Sequence, residues 1–111
     1  MKKEATDRTF GIDAEERDGE RRIAVRGDVD LHSSPGLRSA VLDAVSAGRG
    51  PVLVDLSAVT YMDSSGVATL IEGLRAAGRR NAGYFLVAPS EPVRKVIRLA
   101  RLDAVFKIRN D

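Results

Sequence analysis

Few side chains in this sequence can carry chemistry, and the densest group of them lies in one short stretch. Met62-Asp63-Ser64-Ser65-Gly66 sets a carboxylate beside two hydroxyls where an apolar run gives way to a helical pattern. A serine placed there can act as a nucleophile or accept a phosphoryl group. A nucleophile needs a base, and His32 is the single histidine of the chain, with no Gly-x-Ser-x-Gly signature beside any serine. The absence of cysteine excludes a thiol nucleophile, a disulfide framework and a thiolate zinc site. Gly78-Arg79-Arg80-Asn81-Ala82-Gly83 lacks the Gly-Lys-Ser/Thr end of a phosphate loop and reads as a helix end followed by a polar turn. The chain therefore reads as a non-enzyme without metal or cofactor.

The plainest role for Asp63 or Ser64 is to cap a helix, an effect of about 1 kcal/mol. Gly66 is costly inside a helix, so either a close-approaching partner or a tight packing contact explains it. Asp28 and Asp30 suit a turn, and His32 suits a solvated loop. Arg94, Lys95, Arg98 and Arg101 recur opposite the apolar face of a helix, the pattern of a solvated surface.

The elements that must position these residues follow from the turn signals. Residues 8–16 form an extended segment that ends at Asp18-Gly19, a hairpin dipeptide. A second strand covers residues 22–26, and Gly27 stops it. Ser33-Ser34-Pro35 opens a helix carrying Leu37, Val41, Ala44 and Val45 on one face, closed by Gly48 and Gly50. Residues 52–56 are a nearly continuous apolar strand. A second helix follows Asp63 or Ser64 with the stripe Val67, Leu70, Ile71 and Leu74, and Gly78 closes it. Residues 83–87 make a strand, Ser90 caps a third helix with Pro92 in its first turn, and residues 104–108 make the last strand. The order β-β-α-β-α-β-α-β predicts an α/β domain whose sheet is mostly parallel with an antiparallel edge hairpin. Functional surface in such folds lies where strand ends meet helix starts, which again points to Asp63.

At 111 residues one domain, 1–111, accommodates everything. Its 43% hydrophobic and 31% charged residues are ordinary for a globular protein. A pI of about 9.3 suggests nucleic acid, but the net charge is only +2 and aromatics are 5%, so direct nucleic-acid binding is not expected. The charge is divided. Residues 1–66 hold nine Lys+Arg against twelve Asp+Glu, a net of −3, whereas residues 67–111 hold nine against four, a net of +5. No apolar run is long enough for a membrane span, and MKKEATDR has no apolar segment behind it, so a cytoplasmic protein is expected.

The segment Asp55 to Val67 resembles the phosphorylation segment of the STAS domain, as found in bacterial anti-sigma-factor antagonists. Two further segments agree: Gly27-Asp28-Val29-Asp30 with the acidic turn after the family's second strand, and residues 102–108 with its last passage from helix to strand. With the element order, the resemblance spans almost the whole chain. It implies a partner switch, in which the antagonist binds an anti-sigma factor that is also a serine kinase. The kinase inactivates the antagonist by phosphorylating a serine that corresponds to Ser64, ahead of Ser65, and a serine phosphatase is the expected partner that reverses the mark. Asp28, Asp30, Asp63, Ser65 and Gly66 then form the expected partner-binding rim. Many members add a helix after the last strand. Here three residues follow Ile108, so either the uncovered surface is a partner or dimer site, or the helix is dispensable, or the N-terminal segment covers the gap; a monomer or weak homodimer is the expected state. The runner-up is a STAS scaffold or accessory subunit of a stress-signalling complex or transporter, with no phosphorylation switch.

Overall fold

Asp18 and Gly19 both take positive φ, 53° and 80°, and reverse the chain between β1 (Gly11–Arg17) and β2 (Glu20–Val29). This is the geometry of the hairpin turns that match the twist of paired strands. The structure, a computed structural model, describes residues 7–48 and 50–110; the start MKKEAT, part of the reading of the N-terminus, lies outside the described residues. After the hairpin come α1 (Ser34–Ala47), β3 (Val52–Met62), α2 (Ser64–Arg79), β4 (Tyr84–Val87), α3 (Glu91–Leu99) and β5 (Lys107–Arg109). The sheet order is β1-β2-β3-β4-β5; β1 and β2 pair antiparallel, and the other neighbours pair parallel. This is the expected α/β architecture and element order.

Register and alternation place Ile23, Val54 and Leu86 in one row of the sheet. They join one core with Leu37, Val41 and Val45 of α1, Val67, Leu70 and Ala77 of α2, and Val93 and Ile97 of α3. On the opposite face Leu53 and Val87 are buried, with Arg22 3.7 Å from Asp55 and the Arg109 guanidinium 5.5 Å above the Phe85 ring beside them. Among the described residues no helix is long and apolar enough to cross a membrane.

Several boundaries differ from the pattern reading, each for a physical reason. Gly27 does not stop β2. It takes φ +83° and lets Thr9 O approach to 2.2 Å from where a Cβ would stand, and the strand continues to Val29. Nor does β3 end at Leu56 in a loop. It runs to Met62, with register shifts that give it extra residues against β2, and Val59 and Met62 remain buried. Those shifts break the alternation by which the extension would have been recognised. Gly78 stays helical, and the chain turns at Asn81, φ +56°. In the last segment, Val105 and Phe106 donate their amides to Leu102 O, which winds Ala104 and Val105 into a turn and delays β5 to Lys107.

The helices meet closely at Gly73. A Cβ there would lie 2.4 Å from Val41 Cγ1 and 2.5 Å from Tyr84 Oη. Tyr84 is buried, donates its hydroxyl to Leu70 O at 2.9 Å, and burial pushes its phenol above the ordinary range. At the surface Arg38 forks onto Glu72 at 2.8 and 2.7 Å, joining α1 to α2 and holding the Glu72 carboxyl below its usual value. Gly73→Ala is therefore expected to destabilise the fold by about 1–3 kcal/mol through overpacking. The check is a lower urea midpoint at unchanged slope; an unmoved midpoint would mean that Val41 and Tyr84 yield without cost.

Candidate functional site

The chain leaves β3 at Met62 and enters α2 at Ser64, so Asp63 is the whole connection. Its backbone is extended, φ −110° and ψ −170°, and it occupies the N-cap of α2. Of the two residues considered for this cap, Asp63 makes it. Its Oδ1 accepts the Ser65 amide at 2.9 Å and the Ser65 hydroxyl at 2.5 Å. The Asp63 amide donates to Val29 O at 3.2 Å, fastening the junction to the end of β2. So short a junction forces the first helical turn onto the strand ends. At Gly66 a Cβ would stand 2.6 Å from Met62 Cγ and 2.9 Å from Val29 Cγ1. Tight packing within the chain thus accounts for this glycine.

The two serines are consequently unlike. Ser65 is half-buried and its hydroxyl is committed to Asp63. Ser64 is exposed, and its hydroxyl has no hydrogen-bond partner among the described residues.

Parallel pairing of Asp28 with Tyr61 and Val29 with Met62 brings the acidic end of β2 alongside this junction. The expected residues Asp28, Asp30, Asp63, Ser64, Ser65 and Gly66 therefore share one end of the sheet, where strands meet helices. Asp28 and Asp30 are also structural. The Asp28 carboxylate accepts the Thr60 hydroxyl at 2.6 Å and Arg8 Nε at 2.8 Å. The Thr60 bond foremost, with Arg8 adding to it, holds that carboxyl below the usual range. Asp30 Oδ1 accepts the amides of His32 at 2.9 Å and Ser33 at 3.1 Å, and the Ser33 amide leads in lowering its pKa.

Ser33 and Ser90 occupy the N-caps of α1 and α3, the first of them one residue before the serine that directly precedes Pro35, but neither side chain caps its helix. Ser33 Oγ donates to Asp28 O at 2.8 Å and accepts the Asp30 amide at 2.9 Å. Ser90 Oγ donates to Val59 O at 2.7 Å, and its amide donates to Leu56 O at 3.2 Å. Both hydroxyls fasten a helix start to the strand ends beside the site. His32 is exposed.

The sequence reading passed over Thr60, Arg8, Leu31 and Tyr61. Thr60 and Tyr61 belong to the unrecognised extension of β3, and Arg8 reaches Asp28 across 20 residues of sequence. Leu31 is 74% exposed and Tyr61 is 42% exposed, so apolar surface borders the acidic end. Neither residue follows a periodic pattern that would have separated it from the core. The basic residues of α3 are partly engaged: Arg94 donates to Pro89 O at 3.0 Å and to Asn110 Oδ1 at 2.8 Å, and Arg98 lies 3.5 Å from Glu91.

The site is thus a one-residue strand-to-helix junction bearing Asp-Ser-Ser-Gly, on a five-stranded sheet opened by a hairpin. The STAS domain model matches residues 11–111, and the chain belongs to that family. Among curated proteins it is similar to the anti-sigma-B factor antagonist of Listeria monocytogenes, 28% identical over 103 residues that cover 91% of this chain and 90% of the other. Among solved structures it is similar to an anti-sigma factor antagonist from Mycobacterium paratuberculosis, with a TM-score of 0.83 at 26% identity, covering 95% of this chain and 89% of that one. It also shares its fold with the phosphorylated form of the Bacillus cell fate determinant SpoIIAA, with a TM-score of 0.69 at 21% identity over 93% of each chain.

The lowered carboxyls of Asp28 and Asp30 give a signed expectation. Their contribution to stability is complete above the ordinary carboxylate range and fades as pH falls through the lower folded values. A carboxyl-carbon NMR titration should find both midpoints below those of the unfolded chain. Thr60→Val should move the Asp28 midpoint upward and leave Asp30 in place; an unmoved Asp28 midpoint would assign the lowering to Arg8.

Proposed function

We propose that this protein is an anti-sigma-factor antagonist, a non-catalytic binding module that captures an anti-sigma-factor serine kinase and is released when that kinase phosphorylates Ser64. The observation that carries the reading is the inequality of the two serines: Ser64 offers an exposed, uncommitted hydroxyl, and Ser65 has spent its own on Asp63. The names of the relatives supply the partner class, and a phosphorylated form exists for a protein of the same fold. Asp28, Asp30 and Asp63 form the acidic rim of the docking face, suited to a positive surface on the partner. Ser65 and Gly66 keep that face in shape. A serine phosphatase would restore the binding form.

The mechanism is electrostatic. Phosphorylation adds about −1.5 to −2 charges beside the Asp63 carboxylate. Docking must then desolvate or repel a hydrated dianion, which lowers affinity on the order of 10²-fold or more. The kinase supplies nucleotide and transfer chemistry, so the antagonist needs no base of its own, in keeping with a lone exposed histidine. The protein is expected to act in the cytoplasm as a monomer or weak homodimer, without direct contact to nucleic acid or membrane.

The test uses each anti-sigma-factor serine kinase of the source organism, purified and titrated with this protein. One should bind, and with ATP should transfer a single phosphate. Ser64→Ala should bind without accepting phosphate, Ser65→Ala should still be phosphorylated, and Ser64→Asp should bind on the order of 10²-fold more weakly. Labelling that survives in Ser64→Ala and vanishes in Ser65→Ala would move the acceptor by one residue. Binding to a transporter ATPase with no kinase bound would favour the accessory role.

A further inference from the structure

The strands β2 to β5 stand in chain order across the sheet, and each neighbouring pair is parallel. Every crossover between them therefore steps one place in the same direction. Right-handed crossovers that step one way all pass over the same face. The core agrees, since α1, α2 and α3 all pack with Ile23, Val54 and Leu86. The other face carries no helix among the described residues. Parallel strands are ordinarily covered on both sides, so this face calls for a cover.

Cross-strand register sets what the bare face presents. One row across the sheet is Glu15, Arg22, Leu53, Phe85 and Lys107, and the next is Asp13, Ala24, Asp55, Val87 and Arg109. In these rows acids stand at the β1 edge and bases at the β5 edge. Apolar side chains and the Arg22–Asp55 pair lie between them. Leu53 and Val87 are fully buried and Phe85 is half-buried, so the middle is already withdrawn from water. The edges are not. The side chains of Asp13 and Glu15 are 83% and 52% exposed, and Lys107 is exposed with no ion pair among the described residues. Asp13 and Glu15 do meet Arg26 and Arg17 at 3.1 and 3.2 Å, but exposed pairs of this kind contribute little and are readily shared.

A face that runs from acid to base is complementary to itself turned over. A two-fold axis along β3, in the plane between two copies, lays β1 of each over β5 of the other. It keeps every residue at its own level along the strands, so Glu15 meets Lys107 and Asp13 meets Arg109, each pair occurring twice. Arg22 comes over Phe85 of the second copy, and Asp55 enters the contact already paired with its own Arg22. The alternative axis, across the strands, would lay β1 on β1 and β5 on β5 and set like charges together. We infer that the helix-free face is a self-association surface on which a second copy of this chain packs sheet to sheet, its strands parallel to those of the first and turned by about 30° through sheet twist. Any other partner would have to bring the reverse order of charge, which this chain carries already. The inference is independent of the role of Ser64.

Sedimentation equilibrium from about 10 μM to 1 mM should show a monomer–dimer equilibrium that weakens as salt rises. Glu15→Lys and Lys107→Glu alter exposed side chains, and unchanged urea midpoints will verify both folds. Each variant alone should raise the dimer dissociation constant about tenfold or more, because it sets two like-charge pairs across the axis. An equimolar mixture of the two should dimerise as the wild type does. In the mixed dimer the introduced lysine faces the introduced glutamate, and the native Glu15 of one copy faces the native Lys107 of the other. A merely structural role for either residue would give no such rescue. A wild type that stays monomeric, a dimer indifferent to both substitutions, or weakened variants that do not rescue each other would each overturn the inference. So would a monomer in which nuclear Overhauser effects place another segment of the chain on Phe85, since the chain would then supply its own cover.

Discussion

A single residue joins β3 to α2, and much of the site follows from that brevity. With only Asp63 between Met62 and Ser64, the helix must begin against the strand it has just left. Contact that close leaves no room for a Cβ at Gly66, where Met62 and Val29 already stand. It also makes Asp63 both linker and cap, with its amide on Val29 and its carboxylate on Ser65. Ser64, the residue between the two anchored ones, is left pointing outward. The Ser64 side chain is exposed because its neighbours are not free to be.

The neighbouring strand end is built on the same economy. Asp28, Asp30 and Ser33 close the turn after β2 through bonds to one another, to Thr60 and to Arg8. A carboxylate used in this way keeps its charge, and the bonds that hold it also hold its pKa below the ordinary range. Acidity at this end of the sheet and order in the loop that bears it are therefore one property. A partner that offers cations to Asp28 competes with Arg8 rather than meeting a bare carboxylate, which favours discrimination over raw affinity.

Element types and order were legible because helices and strands here carry distinct periods, as in Val67, Leu70, Ile71 and Leu74 against Val52 to Leu56. The Asp63-Ser64-Ser65 junction was legible because a strand end, an acid and two serines fall together. What escaped depended on tertiary context. The far half of β3 has two register shifts and so no alternation to read. Gly27, a stop signal by composition, instead carries β2 past a close-approaching backbone. Ser33 and Ser90 sit where caps belong, yet their hydroxyls go to other strands' carbonyls, because a stronger use lay within reach once the sheet had formed.

The junction also decides how a phosphate on Ser64 would be read. A helix N-terminus ordinarily welcomes an anion through its free amides. Here the first turn has few to offer. Ser65 N donates to the Asp63 side chain, and Gly66 N and Val67 N donate to the Asp63 carbonyl at 3.1 and 3.2 Å. A phosphoryl group would find those donors taken and a carboxylate beside it, so it would remain hydrated and directed outward. Nothing in that arrangement draws the phosphate inward to rebuild the domain. The signal would be carried by the surface itself, as charge and bulk added beside Asp63 at the acidic end of the sheet.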